Sequence, residues 1–168
     1  MDQIRDLLDR YRRKGILIDT NLLLLFVVGS CNVKHIGTFK RTKKFIPADF
    51  EALRRMLGNF RRLVTTPNIL TEVSNFLGQL PTGIQPEIFS KYSELIKASE
   101  EKYVKSSHVA SQDFFHKFHL TDSGIIEEAK NKYLVLTDDF SLSGYLQHAR
   151  VDVINFNHLR PIIWDNIP

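Results

Sequence analysis

The chain predicts an α/β protein built on a parallel sheet with helices on both faces. Three observations lead there. Short apolar runs of strand length stand at residues 16–18, 63–65, 133–137 and 151–156. The segments between them are longer and carry apolar residues at helical spacing. Parallel strands need such crossovers, whereas strands joined by tight turns do not.

Taken in order, residues 3–14 read as a short charged helix with Ile4, Leu7 and Leu8 on one side. The first strand, 16–18, rises to Asp19. Residues 21–28 read as a buried helix that Gly29 and Ser30 would end. Residues 32–45 read as a loop or hairpin, with Lys34, Lys40, Arg41, Lys43 and Lys44 interleaved with His35, Phe39 and Phe45. Such a mixture suits a nucleic-acid backbone through phosphate charge and base stacking, or packs its own aromatics. Pro47 opens a helix with Phe50, Leu53, Leu57 and Phe60 on its inner stripe, and Arg54 and Arg55 off it. After the strand at 63–65, Thr66-Pro67-Asn68 turns into a helix carrying Glu72 in its first turns and closed by Gly78. Residues 86–104 read as one long helix, 106–111 as a connection and 113–118 as a short helical piece. A polar break at 119–123 precedes a helix through Ile125, Ile126 and Ala129. The strand at 133–137 runs into Asp138-Asp139. A helix over 142–148 and the strand at 151–156 follow, and the tail packs by Ile162, Ile163 and Trp164.

The composition narrows the class. One domain is the simplest division of 168 residues, with 43% hydrophobic and 25% charged residues. The single cysteine, Cys31, excludes an internal disulfide and a cysteine-rich zinc site. The first residues lack the form of a signal peptide, and the apolar run around Asp19 is too short for a bilayer. These features are those of a cytoplasmic protein without a membrane partner. A net charge of +4 permits a polyanionic partner without requiring one.

The chemistry lies in the acids. Asp19 ends the first strand, and Asp138 and Asp139 end the strand at 133–137, so a parallel sheet presents them at one edge. Glu72 and Asp122, early in their helices, point to the same edge. Each has a plainer role open to it: Asp19 or Asp122 as helix caps, Asp138-Asp139 as a turn, Glu72 as a solvated residue. Together they favour a metal site, because like charges in a cleft repel until a cation neutralises them. All-oxygen ligands suit Mg²⁺ or Mn²⁺ rather than zinc. No Ser, Cys or His stands out as a nucleophile, which leaves metal-activated water. The histidines (His35, His108, His116, His119, His148 and His158) are scattered without ligand spacing.

Four short motifs in order resemble those of the PIN-domain ribonucleases, among them the toxins of bacterial and archaeal toxin–antitoxin pairs. They are Ile18-Asp19-Thr20-Asn21, Thr66-Pro67-Asn68-Ile69-Leu70-Thr71-Glu72-Val73, Leu120-Thr121-Asp122-Ser123-Gly124 and Leu136-Thr137-Asp138-Asp139-Phe140. The resemblance spans roughly residues 15–157 and implies a three-layer α/β/α sandwich over a single domain, 1–168. It implies an endoribonuclease using Mg²⁺ or Mn²⁺, with Asp19, Glu72, Asp122 and Asp139 as catalytic and metal-site acids and Asp138 contributing to the metal. Asn21 and Thr137 would support them, and Lys40, Arg41, Lys43 and Lys44 would bind RNA. An antitoxin protein and a second copy in a homodimer are the implied partners. The basic segment at about 32–45 and the region 86–104 look like additions to the smallest toxins of this type.

Other readings compete. The same fold serves as an inactive nucleic-acid-binding or scaffold module, and a DNA-directed nuclease would use a similar acidic site. A phosphatase of the haloacid-dehalogenase type wants a second Asp two residues after the first, where this chain has Asn21.

Overall fold

In the computed structural model the expected α/β architecture is present, and the structure describes residues 2–130 and 132–160. The elements run α1 (Asp2–Tyr11), β1 (Ile16–Ile18), α2 (Thr20–Cys31), α3 (Lys34–Thr38), α4 (Pro47–Leu57), β2 (Leu63–Thr65), α5 (Pro67–Leu77), α6 (Gln85–Ala98), β3 (Glu100–Glu101), α7 (Ser106–Ala110), α8 (Phe115–Ala129), β4 (Leu134–Thr137), α9 (Phe140–His148) and β5 (Val153–Asn155). A 3₁₀ turn, Phe156–His158, follows β5.

Among the described residues the strands form one all-parallel sheet in the order β3-β2-β1-β4-β5. The first half of the chain builds outward from β1 through β2 to β3. The second half returns to the other side of β1 with β4 and β5. The order therefore reverses between β1 and β4, and ligands of open α/β sheets bind outside the carboxyl ends of the strands at such a point. Right-handed crossovers in opposite directions place helices on opposite faces, which makes the three layers. In one layer α2 packs against α4, α5 and α6. In the other, α8 and α9 pack together and against β4.

The central strands are apolar on both sides because both faces are covered. Ile16, Leu17 and Ile18 are buried, as are Leu134, Val135 and Leu136. Helix α2 lies deep in its layer, and Leu22, Leu23, Leu24 and Leu25 are all fully buried around its circumference. Gly29 does not end it. The helix runs on to Cys31, and a Cβ at Gly29 would stand 2.3 Å from the Phe50 ring, so the missing side chain makes room for α4.

Several expected elements differ. Residues 32–45 are not a hairpin: they hold α3 and a chain of turns, with Ile36, Phe39, Thr42 and Phe45 buried. The long helix expected at 86–104 ends at Ala98, because the chain then pairs alongside β2, Val64 opposite Glu100 and Thr65 opposite Glu101. The connection at 106–111 is the short helix α7. The break expected over 119–123 is confined to His119, whose φ of 56° separates α8 into two pieces. Ile162, Ile163 and Trp164 lie outside the described residues. No helix among the described residues is long and apolar enough to cross a membrane.

Candidate active site

Each expected acid is placed by a local rule of chain geometry. Asp19 leaves β1 in extended conformation and caps α2, its Oδ1 accepting the Leu22 amide at 2.9 Å. Its Oδ2 accepts the Asp138 amide at 3.0 Å and the Thr137 hydroxyl. The capping role and the edge position thus belong to one carboxylate. Asp19 is buried beside a second buried acid, Asp138, and both conditions disfavour its charge. Burial chiefly, and Asp138 next, push its pKa up to about 7 despite three hydrogen bonds that favour the anion.

Glu72 rises from α5 into the space between two neighbouring helices. Its Oε2 accepts the Thr20 hydroxyl at 2.8 Å and its Oε1 accepts the Thr121 hydroxyl at 2.6 Å. One carboxylate is therefore held by side chains from α2 and α8. Asp122 follows Thr121 and turns onto the same space, because the backbone at His119 redirects the second piece of α8. Burial, then Asp139, then Glu72 raise the pKa of Asp122 to about 6.

Asp139 caps α9, its Oδ1 accepting the Leu142 amide at 2.8 Å. Its own amide donates to the Thr137 hydroxyl at 3.0 Å. Thr137 therefore joins Asp19 to the loop that carries Asp139. Asp138 faces away from this group. It accepts from Asn21 Nδ2 at 3.0 Å and forms an ion pair with Lys44, while its carbonyl accepts from Asn157 Nδ2 at 2.7 Å.

Asp19, Glu72, Asp122 and Asp139 line one cleft of about 190 Å³, together with Thr20, Asn21 and Phe76. A second cavity of about 380 Å³, lined by residues 118–121, shares Glu72 and Asp122 with it. A separate apolar cavity of about 350 Å³ between α2 and α6 is walled by Phe26, Val27, Leu63 and Leu95, far from this set of acids in the fold. It lacks the converging titratable groups of the carboxyl edge, and catalysis belongs with the latter.

The basic segment is attached to this edge rather than free of it. Lys44 is committed to Asp138. The Arg41 guanidinium lies 4.2 Å from the centre of the Phe76 ring, at the wall of the cleft. Lys40 and Lys43 are exposed. Phe39 and Phe45 are buried, so the aromatics of this segment pack inward and are not available for stacking on bases. The scattered histidines take no place in the cleft lining, and His108 pairs with Glu127.

The donor set fits a hard divalent cation in its chemistry: four carboxylates and no thiol or imidazole around the cleft. Two of these acids are held above the ordinary carboxylate range by burial and by one another, a cost that a cation relieves. The side chains are not gathered into a finished cage. Among the described residues no three His, Cys, Asp or Glu side chains form a ready ligand group. Uncompensated like charges hold apart, and here hydroxyls and backbone amides engage Glu72 and Asp19. Mg²⁺ does not require a cage, since it keeps several waters and takes one or two carboxylates.

Sequence reasoning did not assign roles to Thr20, Thr121, Phe76 or Asn157, nor a site role to the Lys44–Asp138 pair. Thr20 had a signal, being a hydroxyl between two residues already marked as site and support. The others depend on contacts between distant segments. No protein-family model matches the chain, and neither curated proteins nor solved structures give a match.

Proposed function

We propose that the protein is an endoribonuclease that hydrolyses RNA phosphodiester bonds with Mg²⁺ or Mn²⁺ held among Asp19, Glu72, Asp122 and Asp139. The observation that carries this reading is the convergence of four carboxylates, from four separate elements, on one cleft at the switch point of the sheet. The resemblance of the four motifs to those of PIN-domain ribonucleases supports it, because each motif contributes one wall of that cleft.

When bound, the ion supplies neutralisation of the carboxylates, activation of water and compensation of charge on the phosphate. The chain's own residues do the rest. Thr20 and Thr121 fix both oxygens of Glu72. Thr137 and two backbone amides fix Asp19 in the orientation that opens it to the cleft. Asn21 and Lys44 hold the Asp138 carboxylate out of the cleft. Arg41, Lys40 and Lys43 place positive charge beside an otherwise acidic mouth, where a phosphate backbone must approach. As a toxin of its type the protein would also bind a protein antitoxin and pair with a second copy, and a small open reading frame beside its gene is the check on the first.

Calorimetric titration with Mn²⁺ separates this function from a scaffold. Saturable binding that Asp19→Asn abolishes is the expected result. A protein that takes up no Mn²⁺ or Mg²⁺ overturns the reading.

A further inference from the structure

Two planar groups flank the acidic cleft, and packing of the core explains neither. On one side is Phe76, which lines the cleft and carries the Arg41 guanidinium against its ring, 4.2 Å from the centre. Arg41 is itself exposed, and only a 3.4 Å contact from its Nε to Gln79 restrains it. A guanidinium packed on a ring presents its other face outward, the arrangement on which a nucleic-acid base stacks. On the other side is Phe140, the residue after Asp139. It opens α9, yet it is 63% exposed, among the most exposed large apolar side chains described. Its ring pairs with exposed His158 at 5.8 Å between centres. An isolated exposed apolar residue needs no explanation, but a paired aromatic directly beside a cleft acid has a specific use.

We infer that Arg41–Phe76 and Phe140–His158 are stacking platforms for unpaired bases on the two sides of the cleft, so that the substrate is single-stranded RNA. The inference rests on the proposed function and adds to it the substrate class and the residues that select it. A duplex keeps its bases stacked on one another and offers neither platform a free face. A single strand splays its bases onto the two platforms while the phosphate between them sits over the carboxylates. Exposed Lys40 and Lys43 meet the backbone beyond Arg41.

The test is fluorescence anisotropy in Ca²⁺ with a short labelled single-stranded oligoribonucleotide and the same sequence in a duplex. The proteins are wild type, Phe140→Leu and Arg41→Lys. Phe140→Leu keeps an apolar side chain at an exposed site, and Arg41→Lys keeps the charge while losing the planar group. Thermal melts confirm that both variants fold. Wild type should prefer the single strand, and each variant should lose about tenfold in affinity for it, the loss of one stacked base, with duplex binding unchanged. Unchanged affinity for the single strand in either variant, or a wild type that binds duplex equally well, overturns the inference. Single-strand binding through both platforms without cleavage in Mn²⁺ leaves it standing and overturns the nuclease reading. Cleavage in Mn²⁺ with both variants binding as wild type does the reverse.

Discussion

Replacing Asp19 by asparagine changes stability in opposite directions at neutral and at acidic pH. A carboxyl held at about 7 in the folded protein rather than at 3.8 disfavours folding once it ionises. The proton is released from the unfolded chain first, so between pH of about 4 and 7 the folded state holds a proton that the unfolded state has lost. Stability contributed by Asp19 therefore falls as pH rises through that window. At full ionisation the cost reaches about 4 kcal/mol. The Asp19→Asn substitution removes it. The amide keeps the cap, since its oxygen still accepts from Leu22, but its NH₂ then faces the Asp138 amide, donor against donor. An unsatisfied buried donor costs about 1–3 kcal/mol. At pH 7.5 the variant should gain about 1–3 kcal/mol, or roughly 2–8 °C in Tm for a chain of this size. At pH 4.5 wild-type Asp19 is already neutral, only the amide penalty remains, and the variant should melt below wild type. Calorimetric melts at the two pH values decide it. Equal destabilisation at both would refute the assignment of Asp19 as a buried carboxylate strained by its neighbours.

Further outcomes follow from the same geometry. Mn²⁺ should raise the Tm of the wild type at pH 7.5 and much less at pH 4.5, because Asp19 and Asp122 are protonated at the lower value and a cation competes with their protons; a thermal-shift series in metal and chelator reads this. Lys44→Met leaves the buried Asp138 with Asn21 alone on its side chain and should cost about 1–2 kcal/mol at pH 7, less than for a fully buried pair since Lys44 is half exposed. Denaturant melts should show the loss shrinking as pH falls and Asp138 is neutralised. His119→Gly relieves a left-handed residue within α8 and should stabilise the protein by about 1 kcal/mol, checked by the same melts.

The central sheet was legible because its inner strands carry their own signal. Ile16, Leu17 and Ile18 form an apolar run stopped by a carboxylate, and residues 134–136 repeat the pattern, so the α/β class and the shared edge of Asp19 and Asp139 followed from local sequence. The edge strand had no such signal. Glu100–Glu101 pairs through its backbone beside β2 while its side chains look to solvent and to Lys102 and Arg62, and no hydrophobic pattern marks it. Nor did composition distinguish the basic segment's buried rings from free ones: Phe39 and Phe45 look the same in sequence as Phe140, yet two are packed and one is exposed. The four acids were legible singly. Their supports were not, since Thr20 and Thr121 meet Glu72 from positions 52 and 49 residues away.

The most direct test of the account is cleavage itself. Purified wild-type protein, Asp19→Asn and Glu72→Gln are incubated with end-labelled single-stranded RNA in Mn²⁺ and in chelator, and the new ends are mapped. Internal cuts by wild type in Mn²⁺ alone, absent from both folded variants, are the predicted result. Cutting that survives in Asp19→Asn or in chelator, or RNA left intact by the wild type, would contradict it.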